Sequence, residues 1–290
     1  MAKIQIDIDK CDRCGLCAMD CPACIFTQTG KKQIPTLEHT EFCIGCGHCA
    51  AVCPAGAVIH DGFPKGTIGP IDKSVWPSAE GLFELVRARR SLRNFLDKPV
   101  EPEIMTKIIA AANYAPTAHN VQSTRFVLVR DREKVRAIGR ATEDHFRTVS
   151  RQLHNPVTRK MLSLVARREI QAATAFLPEL DMLLDGLRAG LDLILRNVPE
   201  LLFFHARAGT MFAEVNANLA LQNATLMCEG LGLGNFYLGF VVGACKRDKT
   251  IPKMLSIPPG NRVYGGLGIG YPKFTFKNWI DRRPPEVTIL

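Results

Sequence analysis

Hydrophobic and polar residues alternate at the start of the chain, where Ile4, Ile6 and Ile8 are separated by single polar residues. A period of two residues is typical of a β-strand with one buried face. This segment lacks the continuous apolar block of a signal peptide, and no stretch approaches the ~20 uncharged apolar residues of a membrane span. We therefore expect a cytoplasmic protein without a membrane-spanning segment.

Further along, apolar residues recur at helical spacing. Leu82, Leu85 and Val86 share one helix face, and Ser78 stands in front of them as an N-cap. The patterns also predict helices over 103–114, 131–198 and 212–229, and strands over 125–130, 201–205 and 263–270. Residues 230–234 (GLGLG) suggest a dinucleotide-binding loop, which requires a strand before it and a helix after it. The predicted order is the reverse, which disfavours a Rossmann fold.

Composition leaves room for a small domain followed by a medium one, since the chain has 290 residues of which 47% are hydrophobic. The net charge is +9, but it is uneven: residues 1–65 hold six Lys or Arg and seven Asp or Glu, whereas the remainder holds 31 and 21. No basic run is interleaved with aromatic residues, so we expect no nucleic-acid partner. The basic part is better suited to a phosphate-bearing cofactor or an anionic partner.

Nine of the 11 cysteines precede residue 54, and eight of them form a repeated CxxCxxCxxxCP motif. Thiolates in this spacing are the ligands of iron–sulfur clusters. The alternative is zinc, but zinc sites usually use two separated CxxC pairs. The segment resembles two-[4Fe–4S] bacterial ferredoxins, in which the fourth cysteine of each motif serves the other cluster. That resemblance assigns one cluster to Cys11, Cys14, Cys17 and Cys53, and the other to Cys21, Cys43, Cys46 and Cys49.

Two residues near these motifs have open roles. Cys24 could replace a ligand, but a small side chain packed beside a cluster is the favoured interpretation. His48 could be a ligand or a proton-coupled switch, although a loop residue whose backbone faces the cluster is favoured.

Four motifs in the rest of the chain occur in the order found in nitroreductases. They are Arg89-Arg-Ser-Leu-Arg93, Ala115-Pro-Thr-Ala-His-Asn-Val-Gln122, Gly232-Leu-Gly234 before an apolar strand, and Gly270-Tyr-Pro272. Residues 80–290 thus resemble the FMN-dependent nitroreductase family, in the subgroup that carries a fused N-terminal ferredoxin. The resemblance implies an α+β fold, an antiparallel central sheet covered by helices, and a homodimer with FMN at the subunit interface.

The resemblance also implies cofactor-binding residues. Arg89, Arg90, Ser91 and Arg93 would hold the FMN phosphate and ribityl chain, and Arg282 would add a phosphate contact. Asn120 and the neighbouring Pro116 and Thr117 would approach the flavin ring from the partner subunit, and Gln122 would be a further cofactor-binding residue. Tyr237, Leu238 and Gly239 would line the flavin near N5. Ser123-Thr124 replaces the Pro-Trp pair often found in the family, which alters the pocket wall.

These features divide the chain into a ferredoxin-like domain (1–62), a Pro- and Gly-containing linker (63–78) and a nitroreductase-like domain (79–290). Residues 140–197 form a helical insertion expected over the active site. Its Arg147, Arg151 and Arg159 could bind an anionic substrate or form a solvated helix face. His119 and Tyr237 are candidate proton donors, with His145 and His154 as further candidates, although each histidine is more often structural.

The leading functional hypothesis is an oxidoreductase that takes electrons from a ferredoxin-like or other low-potential donor through two [4Fe–4S] clusters to FMN. The small-molecule substrate would be an electron-poor nitro compound, quinone or activated alkene. Two alternatives stay open: flavin-dependent dehalogenation or dehydrogenation on the same scaffold, and an electron-transfer module that serves a partner protein.

Overall fold

The computed structural model describes residues 3–64 and 66–290, which divide into two compact units. The first unit contains the described residues up to Pro77 together with Thr117–Val121. The second contains Ser78–Pro116 and Gln122–Leu290. The linker expected over 63–78 thus falls almost entirely within the first unit, as does a five-residue piece of the predicted nitroreductase-like domain.

Two antiparallel strand pairs and two short helices build the first unit. β1 (Ile4–Ile6) pairs with β4 (Val58–His60), and β2 (Phe26–Thr27) pairs with β3 (Thr36–Leu37). Helices α1 (Leu16–Asp20) and α2 (His48–Ala51) each begin one residue before the third cysteine of their motif. Because the same elements recur in each half, the repeat in the sequence is also a repeat in structure.

A four-stranded sheet organises the second unit. Its strands are β5 (Arg125–Val129), β6 (Glu200–Arg207), β7 (Gly234–Tyr237) and β8 (Asn261–Gly270), in the order β5-β6-β8-β7. Every neighbouring pair is antiparallel. The expected α+β fold with an antiparallel central sheet is therefore confirmed.

Helices cover both faces of this sheet. They are α3 (Ala79–Ala88), α4 (Pro102–Asn113), α5 (Arg132–His154), α6 (Pro156–Val165), α7 (Arg167–Ala175), α8 (Leu177–Arg188), α9 (Ala213–Gly230), α10 (Gly239–Cys245) and α11 (Thr250–Met254). Ser78 caps α3 as predicted, since its Oγ accepts the Gly81 N–H at 3.0 Å. The helix predicted over 131–198 is instead four helices and a turn, because Asn155-Pro156 ends one helix and caps the next.

Strand β6 supplies the centre of the hydrophobic core. Its side chains alternate between the two faces of the sheet, as the pleat of a strand requires. Leu201 and Phe203 pack in one layer with residues of α5 and α10, whereas Leu202 and Phe204 pack in the other layer with α4 and α9. The even burial on both faces explains why β6 is a continuous apolar run in the sequence.

Strand β8 is rich in glycine because large groups press against its backbone. A Cβ added to Gly268 would lie 2.5 Å from the Phe236 ring, and one added to Gly270 would lie 2.6 Å from Pro199. Both distances are shorter than side-chain atoms tolerate. The Gly270-Tyr-Pro272 motif thus has a packing role at the end of this strand.

The glycine-rich segment 230–234 joins the end of α9 to the start of β7. This is the helix-to-strand order, so the Rossmann interpretation is excluded at this loop. Within the residues that the structure describes, no helix is both long enough and apolar enough to cross a membrane.

Candidate functional site

The eight motif cysteines line two separate cavities of the first unit. One is lined by Cys11, Cys14, Cys17 and Cys53. The other is lined by Cys21, Cys43, Cys46 and Cys49. Each cavity thus combines three thiols of one motif with the last thiol of the other. This grouping is the one that the ferredoxin resemblance assigns.

The thiols of each set are spread around their cavity and do not converge on the position of a single metal ion. In the described parts of the chain, no three Cys, His, Asp or Glu side chains converge as ligands of a single metal ion. A zinc site needs four ligands about 2.3 Å from one ion. Four thiols spread around a cavity fit a polynuclear cluster better, so the side chains present suit the [4Fe–4S] interpretation.

Two glycines give the cysteine loops their shape. Gly15 and Gly47 adopt left-handed φ values of 78° and 74° immediately before α1 and α2. This region is accessible to glycine at no steric cost. The turns let each loop fold back around its cavity, with the third cysteine of each motif in the helix that follows. Backbone N–H groups reach thiols of both sets: Ala57 donates to Cys53 Sγ at 3.2 Å, and Gly45 donates to Cys43 Sγ at 3.4 Å.

Burial also affects the thiols themselves. It raises the pKa of Cys49 to about 11, and it also raises the pKa of Cys17. These thiols are therefore protonated at neutral pH without a metal. Cluster assembly must release their protons, as it does for any thiolate ligand.

The remaining residues of this unit correct one expectation. Cys24 is exposed, with a φ of 51°, and it lines neither cavity, so the prediction that it packs beside a cluster is wrong. The repeat places Gly56, with a φ of 59°, at the equivalent position, so Cys24 occupies a turn that glycine fills in the other half. The side chain of His48 lies 3.3 Å from Asp20 Oδ2, while its backbone begins α2.

In the second unit, the Arg89–Arg93 segment follows α3 and contacts the edge of the sheet. The Leu92 N–H donates to the Asn235 carbonyl at 2.9 Å, and the Leu92 side chain is buried. Ser91 and Arg93 are therefore exposed on the opposite side of the backbone. Among the described residues, no carboxylate lies within 4.0 Å of the guanidinium groups of Arg89, Arg90 or Arg93. Glu229 interacts electrostatically with Arg89 without forming a salt bridge. A partly exposed basic segment of this kind suits the phosphate of FMN.

Arg93 also lines an open cavity of about 530 Å³. The aromatic side chains around this cavity are Phe146, Phe176, Phe236, Tyr237 and Phe240. Phe146 packs edge-on against Phe240, with ring centroids 5.4 Å apart. Residues of the predicted insertion form one side of the cavity, and Tyr237 and Gly239 lie on another. The cavity thus offers flat apolar surfaces next to a guanidinium group.

A second arginine of this cavity, Arg196, is held by a strained turn. Asp192 accepts the N–H groups of Leu195 and Asn197, each at 2.8 Å. Arg196 and Asn197 both take left-handed φ values, 57° and 52°, which non-glycine residues rarely adopt. Burial and the positive charge of Arg93 lower the pKa of Arg196. Sequence patterns missed Arg196, because it ends a segment predicted as continuous helix.

The loop with the Asn-x-Gln motif is also strained. His119, Asn120 and Gln122 have φ values of 51°, 51° and 42°. Asn120 belongs to the first unit, where its Nδ2 donates to the carbonyls of Gly45 at 2.7 Å and Ile44 at 3.3 Å. Thr117 lies in the same unit, whereas Pro116 and Gln122 belong to the second. The motif residue predicted to approach the flavin therefore bonds to the loop between Cys43 and Cys46.

Tyr237, Leu238 and Gly239 connect β7 to α10. Leu238 is buried, and its N–H donates to the Gly266 carbonyl at 2.9 Å. Tyr237 is 45% exposed on the cavity, and burial of the rest of the ring raises its pKa. Tyr237 is thus a neutral hydroxyl group at the cavity over the whole physiological pH range.

The other candidate residues lie apart from this cavity. Arg282 is exposed in the C-terminal segment, where its N–H donates to the Asp281 carboxylate. His119 is exposed, and His154 bonds to Asp181 at 2.7 Å. His145 lies 3.8 Å from Asp248, and burial lowers its pKa. Arg147 pairs with Glu143 on its own helix, as a solvated helix face would.

Sequence reasoning also missed His60 in the first unit. Its side chain is buried, and its Nε2 lies 3.6 Å from Cys43 Sγ. The 32-residue offset between the motifs aligns His60 with Gln28, and this alignment could have drawn attention to it.

Comparison with known proteins matches both parts of the chain. Residues 86–271 match the profile of the nitroreductase family, and residues 10–58 match a 4Fe-4S dicluster domain. A nitrobenzene nitroreductase of Ectopseudomonas oleovorans is 26% identical over 230 residues, which cover 72% of this chain and 91% of that protein.

Two solved structures share the fold of the second unit. A nitroreductase of Bacteroides fragilis with bound FMN has a TM-score of 0.53 and 16% identity, over 72% of this chain and 98% of its own. An iodotyrosine deiodinase bound to FMN and 3-iodo-L-tyrosine has a TM-score of 0.50 and 21% identity, over 71% and 97%. The family profile spans well over half of the sequence, and the sheet has the expected topology. The chain therefore belongs to the nitroreductase family of oxidoreductases and carries a 4Fe-4S dicluster domain before its family domain.

Proposed function

We propose that this protein is an iron–sulfur flavoenzyme that takes electrons from a low-potential donor and reduces a small electron-poor organic substrate. The observation that carries the proposal is the combination of two sites in one chain. Eight thiols line two cavities in the first unit, and an arginine- and aromatic-lined cavity lies in the second. Clusters exchange single electrons, so a chain with both sites is suited to join one-electron donors to a two-electron product.

The cofactors are two [4Fe–4S] clusters and FMN. The two cysteine sets would hold the clusters. Arg89, Arg90, Ser91 and Arg93 would bind the phosphate and ribityl chain, with Arg282 as a further phosphate contact. Bound FMN supplies hydride transfer and also accepts single electrons. The residues of this chain would fix the orientation of the flavin and exclude water from its reactive face.

The substrate that best suits the cavity is a flat aromatic or quinone-like molecule. Five aromatic rings line the cavity, and such rings stack on flat electron-poor groups. Arg196 would bind a nitro, carbonyl or carboxylate oxygen of the substrate, because guanidinium donors match paired oxygen acceptors. The hydroxyl of Tyr237, on another side of the cavity, is a candidate proton donor. Substrates of this kind include nitroaromatics and quinones, with activated alkenes as smaller members of the class.

The electron donor would be a ferredoxin-like protein or another low-potential reductant. We also expect a homodimer, as the family resemblance implies. The C-terminal segment supports this expectation, because Phe274, Phe276 and Trp279 are each about half exposed. Exposed apolar groups of this size often mark protein–protein contacts. Light scattering on the holoenzyme would measure the mass of the assembly and test the dimer directly.

The experiment that tests the function is anaerobic purification followed by a redox titration. Iron, sulfide and FMN are quantified per chain, and the protein is then reduced with dithionite or reduced ferredoxin. We expect about eight Fe and one FMN per chain, and reoxidation of both centres when a nitroarene or a quinone is added. Clusters without flavin would overturn the FMN assignment.

Three variants separate the two sites. Cys46→Ser should lose iron and keep FMN, whereas Arg90→Ala should lose FMN and keep iron. Arg87→Ala is the matched control, because Arg87 lies one turn away on α3 and its guanidinium stacks over Trp279 outside the motif. Retention of FMN in Arg90→Ala would contradict the phosphate role of that residue.

The same titration distinguishes the alternative functions. Reoxidation by halogenated aromatics with halide release, but not by nitroarenes, would indicate reductive dehalogenation. Reoxidation by a partner protein alone would indicate an electron-transfer module. Reoxidation by nitroarenes or quinones with a stoichiometric reduced product is the outcome that the proposed function requires.

A further inference from the structure

His60 is buried at the end of β4, against the second set of cysteines. Its side chain is 2% exposed, and its ring packs edge-on against Phe63, with centroids 4.9 Å apart. The Nε2 atom lies 3.6 Å from Cys43 Sγ, within the range for hydrogen bonds to sulfur. Packing by Phe63 and the strand backbone leaves the ring little freedom to turn away.

The backbone assigns the tautomer of this imidazole. The Gly62 N–H donates to His60 Nδ1 at 3.0 Å, so Nδ1 carries a lone pair rather than a proton. In a neutral imidazole, the single ring proton is then on Nε2. The nearest carboxylate atom, Asp61 Oδ1, lies 3.7 Å from Nδ1, beyond a normal hydrogen bond. The Nε2–H group is therefore the donor that faces Cys43.

We propose that His60 donates a hydrogen bond to the Cys43 thiolate and raises the reduction potential of the cluster held by Cys21, Cys43, Cys46 and Cys49. Reduction adds one electron to the cluster and breaks no bond, and the His60 proton stays on Nε2. The added negative charge is shared with the sulfur ligands. A donor to sulfur stabilises that more negative form, which is one of the ways in which proteins set cluster potentials.

The other half of the repeat lacks this donor. Gln28 occupies the position equivalent to His60, but its Nε2 donates to the carbonyls of Arg13 at 3.1 Å and Gln33 at 2.6 Å. An amide nitrogen has two protons, so both are used on backbone oxygens. Both cysteine sets receive backbone N–H groups: Leu16, Ala18 and Ala57 donate to thiols of the first set, and Gly45 and Ala50 donate to thiols of the second. Among the described contacts, only the second set also receives an imidazole N–H.

With this hydrogen bond the two clusters would have unequal reduction potentials. An electron on the cluster held by Cys11, Cys14, Cys17 and Cys53 would lower its energy by passing to the other cluster, with no proton transfer. The receiving cluster is the one whose loop carbonyl, at Gly45, accepts the Asn120 amide. This order of potentials rests on the proposed function only in requiring that both clusters are bound.

The test is an anaerobic potentiometric titration of the full-length holoenzyme, monitored by electron paramagnetic resonance. His60→Leu removes the donor, His60→Gln keeps an N–H donor, and Phe63→Leu changes the packing around the ring without removing the donor. We expect His60→Leu to shift the reduction equilibrium of one cluster at least tenfold towards the oxidised form, which is about 59 mV for one electron. His60→Gln should keep most of the wild-type potential, because it keeps an N–H donor. Phe63→Leu should shift the potential of either cluster by less than about 59 mV.

Iron is quantified in every sample, so failure of the proposed function can be distinguished from failure of the proposed role of His60. A wild-type protein with no iron would overturn the proposed function. Full iron with unchanged potentials, or an equal shift of both clusters, would overturn the role of His60 alone. If His60→Leu loses its iron, pulsed electron paramagnetic resonance on protein labelled with ¹⁵N-histidine tests the hydrogen bond instead. A coupling between a histidine nitrogen and one cluster that disappears in His60→Gln would support the bond. Absence of this coupling from the wild-type protein would contradict the bond.

Discussion

Among the described residues, the cluster-binding unit has six buried side chains in its hydrophobic core, whereas the sheet unit has layers of eighteen and fourteen. A small unit with so few buried side chains is only marginally stable when burial is its main source of stability. We therefore expect the two units to be stabilised differently. The first would depend on the clusters bound to its thiols, and the second on packing of its hydrophobic core. Removing the clusters, and then altering the packing of the second unit, tests this difference between the two units.

Removing the clusters should produce the largest effect. After oxidative cluster removal with a chelator, we expect backbone amides of β1 and β4 to exchange like those of an unfolded chain. Amides of β6 and β8 should keep their protection, because packing rather than metal orders them. Hydrogen-exchange mass spectrometry reads both units in one sample. Persistent protection of β1 would show that the first unit folds without its clusters.

Phe203→Ala should break the second unit without affecting the first. Phe203 is fully buried at the centre of the sheet, and deletion of such a ring costs about 3–5 kcal/mol of unfolding free energy. Denaturant unfolding followed by far-UV circular dichroism measures the loss. Phe212→Ala is the control, because Phe212 is 59% exposed and should change little. A fall in iron content under native conditions would contradict the independence of the two units.

Glu200→Ala should have the next largest effect. The Glu200 carboxylate is buried and accepts the Val100 N–H at 3.0 Å and the Arg130 guanidinium at 3.1 Å. Its loss leaves both donors without this acceptor, at a cost of about 2–3 kcal/mol, reduced because Arg130 is a third exposed. Glu200→Gln keeps an oxygen acceptor and should cost less. Equal losses in the two variants would show that only the shape of the side chain matters.

Ser78→Ala should cost about 1 kcal/mol, because the N–H of Gly81 loses the hydroxyl that caps α3. Thermal unfolding of the variant and of Ser78→Asp, which restores an acceptor, measures the effect. A similar loss in both variants would indicate that the cap is not the cause.

The smallest expected effect is a pH dependence at the end of β8. The Tyr271 hydroxyl donates to Glu101 and, with Lys98 and the helix backbone, lowers the pKa of Glu101 to about 2. A lowered pKa stabilises the folded state above the unfolded-state pKa of about 4.3. That stability is lost as pH falls towards 2. The difference in stability between wild type and Tyr271→Phe should therefore be constant near pH 6 and shrink below pH 5; a difference independent of pH would refute this linkage.

Much of the fold followed from local patterns. The Ser78 cap, the helix over 103–114, the buried strand at 201–205 and the repeated cysteine motif each depend on residues close together in sequence. The short helices α10 and α11 were not predicted, because their few residues carry too little periodicity. The predicted helix over 131–198 was broken by a proline and by local caps, which a pattern of apolar residues does not register.

The site was less predictable because its features are set by contacts distant in sequence. Arg196 reaches its cavity through a turn that Asp192 holds in a left-handed conformation. His60 acquires its role from the Gly62 N–H and from Cys43, 17 residues away. Cys24 was expected to be packed, but the repeat places it on an exposed turn. In each case the residue type was visible in the sequence and its surroundings were not.

The exchange of the fourth cysteine between the two motifs also has a consequence for the order of synthesis. The cavity begun by Cys11 is completed last, by Cys53, whereas the cavity lined by Cys43 is completed by Cys49. At a translation rate of about 5–20 residues per second, both thiol sets become complete within about a second of each other. A growing chain thus presents no finished site to cluster-delivery proteins until Cys49 has been made, and it then presents both at almost the same moment.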